Sequence, residues 1–146
     1  MKRVFKFSVL FLGVMILGIS CKAQMVQTVA DANKLAENKQ EFIGKPLENL
    51  LKEIKPPIKR VRAIAGGGGE FNSFVFLYFV NDSEYYAYEK QTGKMPTKIT
   101  VHVAEGSFDW NPFTEKPKGH RYDWTKEDEK KLGKLTVVDI RVTGSN

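Results

Sequence analysis

The chain of 146 residues contains one cysteine, two histidines and two tryptophans. A single cysteine excludes a disulfide framework and a cysteine-rich zinc site, and two histidines argue against a multi-histidine metal centre. Hydrophobic residues make up 42% and charged residues 27% of the chain, which excludes collagen-like, mucin-like and wholly disordered proteins. No internal repeat and no second domain boundary occur. We therefore expect one globular domain without a metal ion or another cofactor.

The first 20 residues have the composition of an export signal. Lys2, Arg3 and Lys6 form a basic start, and residues 7–19 carry no charge. A helix of that length spans about 20 Å, which is less than the roughly 30 Å of a hydrocarbon core. The pattern predicts a signal peptide over residues 1–20. Its removal takes away three positive charges, so the net charge falls from +6 to +3. This mild charge argues against nucleic acid as a partner.

The only cysteine, Cys21, directly follows the apolar run and the small Ser20. The segment LGISCK at residues 17–22 resembles the lipobox of bacterial lipoproteins of the Bacteroidota type, although Gly18 stands where that family favours leucine. The resemblance implies a lipid on Cys21, a lipidated tether over residues 21–27, and an outer-membrane protein that faces the periplasm. Two or more acyl chains make such anchoring durable. The alternative is cleavage after Ala23, which leaves a secreted or soluble periplasmic protein.

The rest of the chain, residues 28–146, predicts one α+β domain. Thr28 and Asp31 indicate a helix start, with the helix running to Ile43. Pro46 opens a second helix with an apolar stripe, which Pro56 ends. From there the hydrophobic period changes to two. We expect two N-terminal helices packed on a mainly antiparallel sheet of about four to five strands, at residues 58–65, 74–80, 84–88, 98–103 and 135–142.

The strand at residues 74–80 is apolar on both sides, which predicts a central strand covered on both faces. Residues 84–88 are its expected hairpin partner. In the last strand Val138, Ile140 and Val142 should share the core face. The basic cluster of Lys59, Arg60 and Arg62 is interpreted as part of a solvated edge strand whose charges discourage aggregation, and the alternative is contact with anionic lipid headgroups or an acidic partner.

A long aromatic-rich insertion, residues 104–134, precedes the last strand. Its aromatic side chains alternate with glycine and proline, and a short helix starts after Thr125 as N-cap and runs to about Leu132. One interpretation makes the aromatics a lid over the second face of the strand at residues 74–80. The other makes them the rim of a groove for a peptide, lipid or glycan. The candidate binding residues are Trp110, Phe113, Tyr122 and Trp124.

The sequence contains no catalytic motif. No serine stands in a Gly-x-Ser-x-Gly elbow, and His102 and His120 are expected to face solvent. A cleft that gathers His120 with Asp109 or Asp123 would instead point to an enzyme. The mature domain resembles small α+β envelope lipoproteins. The expected function is that of a non-enzymatic, lipid-anchored envelope protein that binds another protein or an envelope component. The alternative is a periplasmic carrier or sensor of a small amphipathic ligand.

Overall fold

A computed structural model describes residues 23–66 and 73–144. The predicted signal peptide at residues 1–20, the predicted lipid site Cys21 and three of the four glycines at residues 66–69 lie outside these residues. The strands are β1 (Arg60–Ile64), β2 (Ser73–Tyr78), β3 (Lys98–Val103) and β4 (Val137–Thr143). The α-helices are α1 (Asn33–Glu37), α2 (Leu47–Leu51), α3 (Asp82–Thr92), α4 (Pro112–Glu115) and α5 (Lys126–Leu132), and 3-10 turns cover Val29–Ala32 and Lys39–Glu41.

The four strands form one sheet in the order β1-β2-β3-β4, and each strand is antiparallel to its neighbours. The predicted α+β class is therefore confirmed, with a four-stranded antiparallel sheet and several helices. The bounds of β3 agree with the prediction. The prediction that the apolar strand is central is also confirmed, because β2 lies between β1 and β3.

One face of the sheet forms the core. Val75 and Leu77 of β2 are fully buried, as are Val61 of β1 and Ile99 and Val101 of β3. The alternation of strand residues places these side chains on a single face. The same buried cluster includes residues from the first helices and from α5, namely Leu35, Leu47, Leu50 and Leu132.

The opposite face of the sheet is not closed. We call it the open face, and it carries Arg62, Phe74, Phe76, Thr100, His102 and Arg141. The prediction that β2 is covered on both faces holds at the end of the strand, where Tyr78 is buried against Tyr85 of α3, and is wrong at Phe74 and Phe76, which stay partly exposed. They contact each other, with ring centroids 5.9 Å apart, and His102 meets Phe74 edge-on at 4.5 Å. The aromatic insertion does not form the predicted lid on this face, because it follows the outer edge of β1. Its Phe108, Trp110 and Trp124 pack against the core cluster instead.

Residues 84–88 lie in helix α3, so the prediction of a hairpin strand there is wrong. Asn81 Oδ1 accepts a hydrogen bond of 2.9 Å from the Glu84 amide, and the Glu84 carboxylate accepts one of 2.9 Å from the Asn81 amide. Gly93, with φ of 67°, ends the helix in the left-handed conformation. This capping box and glycine stop outweigh the strand preference of the tyrosines between them.

A bulge changes the predicted register of β4. The pairing with β3 shifts between His102 and Val103, so that Val137 pairs with Val103 and Ile140 pairs with Val101. The extra residue turns Val138 outward, where 48% of it is exposed, instead of inward with Ile140.

The start of the described chain is bound to the domain. Val26 is fully buried, its amide donates to the Glu53 carbonyl at 2.9 Å, and its carbonyl accepts from the Lys55 amide at 2.9 Å. Gln24 Nε2 donates to the Lys52 carbonyl at 2.8 Å. Residues 24–26, which the sequence assigns to the tether, thus belong to the folded part.

The first helical region is more broken than predicted. The segment from Thr28 consists of a 3-10 turn, α1 and a second 3-10 turn, although Thr28 and Asp31 do form the expected capping box. The second helix, α2, ends well before Pro56. Within the described ranges, no helix has the length and apolar character needed to cross a membrane.

Candidate functional site

Three of the four candidate aromatic residues line one groove at the outer edge of β1. We call it the aromatic groove; its volume is about 200 Å³, and its lining is Arg62, Ala63, Ile64, Trp110, Asn111, Pro112, Phe113 and Tyr122. Phe113 is 59% exposed and Ile64 is 49% exposed, which is unusual for large apolar side chains. Trp124 lies apart from the groove, where it lines clefts beside Ile58.

The groove exists because the end of the aromatic insertion runs along the first part of β1. The Tyr122 carbonyl accepts a hydrogen bond of 2.8 Å from the Val61 amide, and the Trp124 amide donates one of 3.0 Å to the Lys59 carbonyl. Arg60 and Asp123 form an antiparallel bridge between these contacts. The segment therefore holds Tyr122 against β1 and continues the sheet for a short distance.

A buried carboxylate fixes the other end of the insertion. Asp128 of α5 is 2% exposed, and it accepts hydrogen bonds from Trp110 Nε1 at 2.8 Å, from Lys116 Nζ at 2.6 Å, and from the amide and hydroxyl of Thr125. Burial acts to raise the pKa of this carboxyl, but the donors Lys116, Thr125 and Trp110 outweigh it and hold the pKa below its usual value. Trp110 is therefore held in place from α5.

A buried arginine fixes Tyr122. Arg60 is 5% exposed, so the interpretation of this residue as solvated is wrong. Its guanidinium lies 4.7 Å from the ring centroids of both Tyr78 and Tyr85 and 5.6 Å from that of Tyr122, and Asp82 is its ionic partner. The aromatic faces and the carboxylate compensate the charge that burial takes out of water.

The groove carries positive charge. The Arg62 guanidinium lies 5.2 Å from the Tyr122 ring centroid, and the Arg121 guanidinium lies 4.7 Å from that of Phe113. The two rings meet edge-on at 6.5 Å. Neither arginine forms an ion pair with another residue that the structure describes, and the buried Nε of Arg121 has no hydrogen-bond partner there. The groove thus combines aromatic surface with one lining cation, Arg62, and a second cation, Arg121, held against the Phe113 ring beside it.

Sequence reasoning singled out Arg62 as part of a basic cluster, but it missed that Arg62 and Ile64 line a groove. Arg62 and Ile64 alternate with the core residues Val61 and Ala63, so the period of two already placed them on the side away from the core. The sequence did not reveal that the aromatic insertion lies beside Arg62 and Ile64. This position depends on contacts between residues about 60 positions apart in the chain.

A second cleft brings His120 close to Asp123. His120 Nδ1 lies 2.7 Å from Asp123 Oδ2, and Ser83 lines the same cleft together with Lys59 and Trp124. The prediction that His120 is solvated is confirmed, because 70% of its side chain is exposed. Asp109 is not part of this cleft. Between residues 23 and 66 and between 73 and 144, no three potential ligands among His, Cys, Asp and Glu cluster as a metal site would require.

His102 lies outside both clefts, on the open face, where it is partly buried. Burial lowers the pKa of His102, and the nearby Arg141 lowers it further. Since its ring packs on Phe74, we assign it no chemical role.

Replacing Asp128 with asparagine should destabilise the domain by about 3 kcal/mol at neutral pH, because Lys116 would remain buried without its counter-ion. The lowered pKa stabilises the fold only where the unfolded carboxyl is ionised, above about pH 4. The difference in unfolding free energy between wild type and D128N, measured in urea, should therefore shrink as the pH falls below about 4.

The matched control is Asp109→Asn, because 89% of that side chain is exposed and its contact with Lys131 is 3.8 Å long. It should change the unfolding free energy by no more than about 0.5 kcal/mol. Equal effects of the two substitutions, or an effect of D128N that does not depend on pH, would contradict the role assigned to Asp128.

Comparisons of the chain with known protein families, with curated proteins and with solved structures found no match. What this protein does is therefore inferred from its own residues.

Proposed function

We propose that this protein is a non-enzymatic, lipid-anchored protein of the bacterial envelope that binds another protein through the aromatic groove. The observation that carries the proposal is the exposure of Phe113 and Ile64 in one groove with Trp110 and Tyr122, next to Arg62. Tryptophan, tyrosine, phenylalanine and arginine are the residues that protein interfaces favour, and they dominate binding energy there.

The size of the groove favours a protein over a small ligand. Pockets that bind small molecules usually measure about 300–1,000 Å³ and enclose most of the ligand. The groove of about 200 Å³ is smaller and open, which suits a side chain of a partner protein better than an amphipathic molecule. The carrier or sensor function remains the alternative use of the segment between Trp110 and Trp124, and it is favoured by the cleft that Trp124 lines, whose volume of about 500 Å³ lies within that range.

The fold limits the distance between a lipid on Cys21 and the folded domain. Gln24 is bound to Lys52, so only Lys22 and Ala23 separate a lipid on Cys21 from the folded domain. Three Cα steps span about 10 Å, so an anchored domain would lie close to the membrane surface. We infer an outer-membrane location facing the periplasm. We also infer that the two N-terminal helices pack on the core face, which is supported by Leu35 and Leu47 in the buried cluster.

The anchor is tested by growing cells with an alkyne fatty acid and attaching a fluorophore to the purified protein. Wild type and the control Ser20→Ala, which keeps the cysteine, should be labelled, and Cys21→Ala should not. An unlabelled wild type, or label retained by C21A, would rule out acylation at Cys21. A mass that begins at Gln24 would support the alternative cleavage after Ala23.

Protein binding is tested by replacing Phe113 with a photo-crosslinking amino acid in intact cells. Irradiation should give a discrete protein adduct, because this side chain would lie within a partner interface. The control position is Tyr86 of α3, which is similarly exposed at 62% but lies outside the groove. Absence of an adduct at position 113, or the same adducts at both positions, would contradict the proposal, and an adduct of lipid mass would favour the carrier.

A second candidate function, hydrolysis, is favoured by the contact between His120 and Asp123 in a cleft that also contains Ser83. An acid that orients a histidine beside a serine is the arrangement of a catalytic triad. Against it, no hydrogen bond joins Ser83 to His120 in the described structure, and 70% of the His120 side chain is exposed to solvent.

The hydrolase candidate is tested with a fluorophosphonate probe, which reacts with activated serines. We expect no labelling of the wild type above that of Ser83→Ala. Labelling of the wild type that S83A and His120→Ala both abolish would overturn the non-enzymatic proposal.

A further inference from the structure

The outer edge of β1 is only half occupied. The Val61 amide points away from β2 and donates to Tyr122, which covers the first part of the edge. Successive residues of a strand direct their backbone groups to alternate sides, so the amide and carbonyl of Ala63 point outward as well. No backbone group in residues 23–66 or 73–144 pairs with them. Ala63 therefore presents an unpaired donor and acceptor at the floor of the aromatic groove.

An edge with unpaired backbone groups is a template for an added strand. Peptides that bind in this way obtain affinity from main-chain hydrogen bonds and specificity from pockets for alternate side chains. Here the pocket is present beside the edge, since Trp110 and Phe113 lie along the same stretch as Ala63. Ile64 is exposed on the other side of the strand and can contact the neighbouring residue of the added strand.

The charge of the groove selects the occupant. Arg62 lines the groove and Arg121 lies against Phe113 beside it, and neither has an acidic partner among the described residues. Two acids that follow Arg121 in the chain are already used, because Asp123 contacts His120 and Asp128 is bound by Lys116. An incoming carboxylate would therefore meet uncompensated positive charge. A basic segment, or a second copy of β1 with its own arginines, would be repelled.

We propose that the aromatic groove binds an extended acidic segment of a partner protein, which pairs with Ala63 as an additional antiparallel or parallel strand. Alternate residues of that segment are apolar and pack on Trp110 and Phe113, and the residues between them are acidic and face Arg62. This inference rests on the proposed function, because it names the kind of protein segment that the groove accepts.

The inference is tested by fluorescence anisotropy with the full chain in detergent and a labelled ten-residue peptide. The probe alternates glutamate and valine around a central leucine, and its control has lysine in place of every glutamate. The acidic peptide should bind at least tenfold more tightly than the basic one. Raising the salt concentration should weaken the binding, because part of it is electrostatic.

The decisive variant is Ala63→Pro. Proline removes the outward N–H of residue 63 but removes no hydrogen bond to β2. Edge strands tolerate proline at positions of this kind. It should weaken binding of the acidic peptide at least tenfold while the circular dichroism spectrum and the urea midpoint stay close to those of wild type. Arg62→Glu should weaken binding to a similar extent. The matched control is Arg141→Glu, the exposed arginine in the same row of the open face on the opposite edge strand.

The possible outcomes separate this inference from the proposed function. The inference is overturned if A63P and R62E bind the acidic peptide as tightly as wild type does. It is also overturned if the dissociation constant of the peptide from wild type is above 1 mM, which corresponds to a binding free energy of about −4 kcal/mol. If the crosslink at Phe113 is still formed in that case, protein binding stands and only the kind of segment is wrong. If A63P does not fold, the affinities of R62E and R141E for the acidic peptide are compared instead. An equal loss of affinity in those two variants would indicate that the peptide binds on the open face, which would overturn the inference.

Discussion

The burial of Arg60 is the constraint on which the edge of the sheet depends. A guanidinium that is 5% exposed must keep its charge, so it requires partners from several parts of the chain at once. Tyr78 comes from β2, Asp82 and Tyr85 from α3, and Tyr122 from the aromatic insertion. One side chain thereby joins β1, β2, α3 and the insertion, and it determines where the insertion meets β1.

The two buried charges explain which aromatic side chains are exposed. Arg60 holds Tyr122 at one end of the insertion, and Asp128 holds Trp110 at the other through the indole N–H. Between them α4 is short and starts at Pro112, with the Asn111 side chain accepting from the Phe113 amide at 3.2 Å. Phe113 therefore lies on an ordered turn between Trp110 and Tyr122, both of which are held by buried charged residues. It is exposed although the residues on both sides of it are held in place. An apolar side chain held rigidly in solvent loses little entropy on binding.

The parts of the fold that could be predicted are those that local sequence determines. The alternation of Ile99, Val101 and Val103 defines β3, and the capping residues Thr125 and Asp128 define the start of α5. The failures have physical reasons of two kinds. For α3 the cap at Asn81 overrode the composition, and this signal was present in the sequence. The bulge that exposes Val138, and the path of the insertion beside β1, depend on contacts with distant residues. Of the candidate site, the aromatic residues were predictable from the sequence, while their separation from Trp124 and the contribution of β1 were not.

The short length of β1 and its charges oppose pairing of this open edge with a second copy of the chain. Edge strands invite association, and proteins limit this with short strands and exposed cations. β1 has five residues, and Arg62 is exposed within it. Two copies of this edge would bring like charges together, whereas an acidic strand would remove that repulsion on binding. If the chain is anchored through Cys21, the short link to Gln24 would also limit how the edge can turn, since the domain would stay near the membrane. In the proposed complex, the arginine whose charge opposes self-association would also select the acidic partner segment.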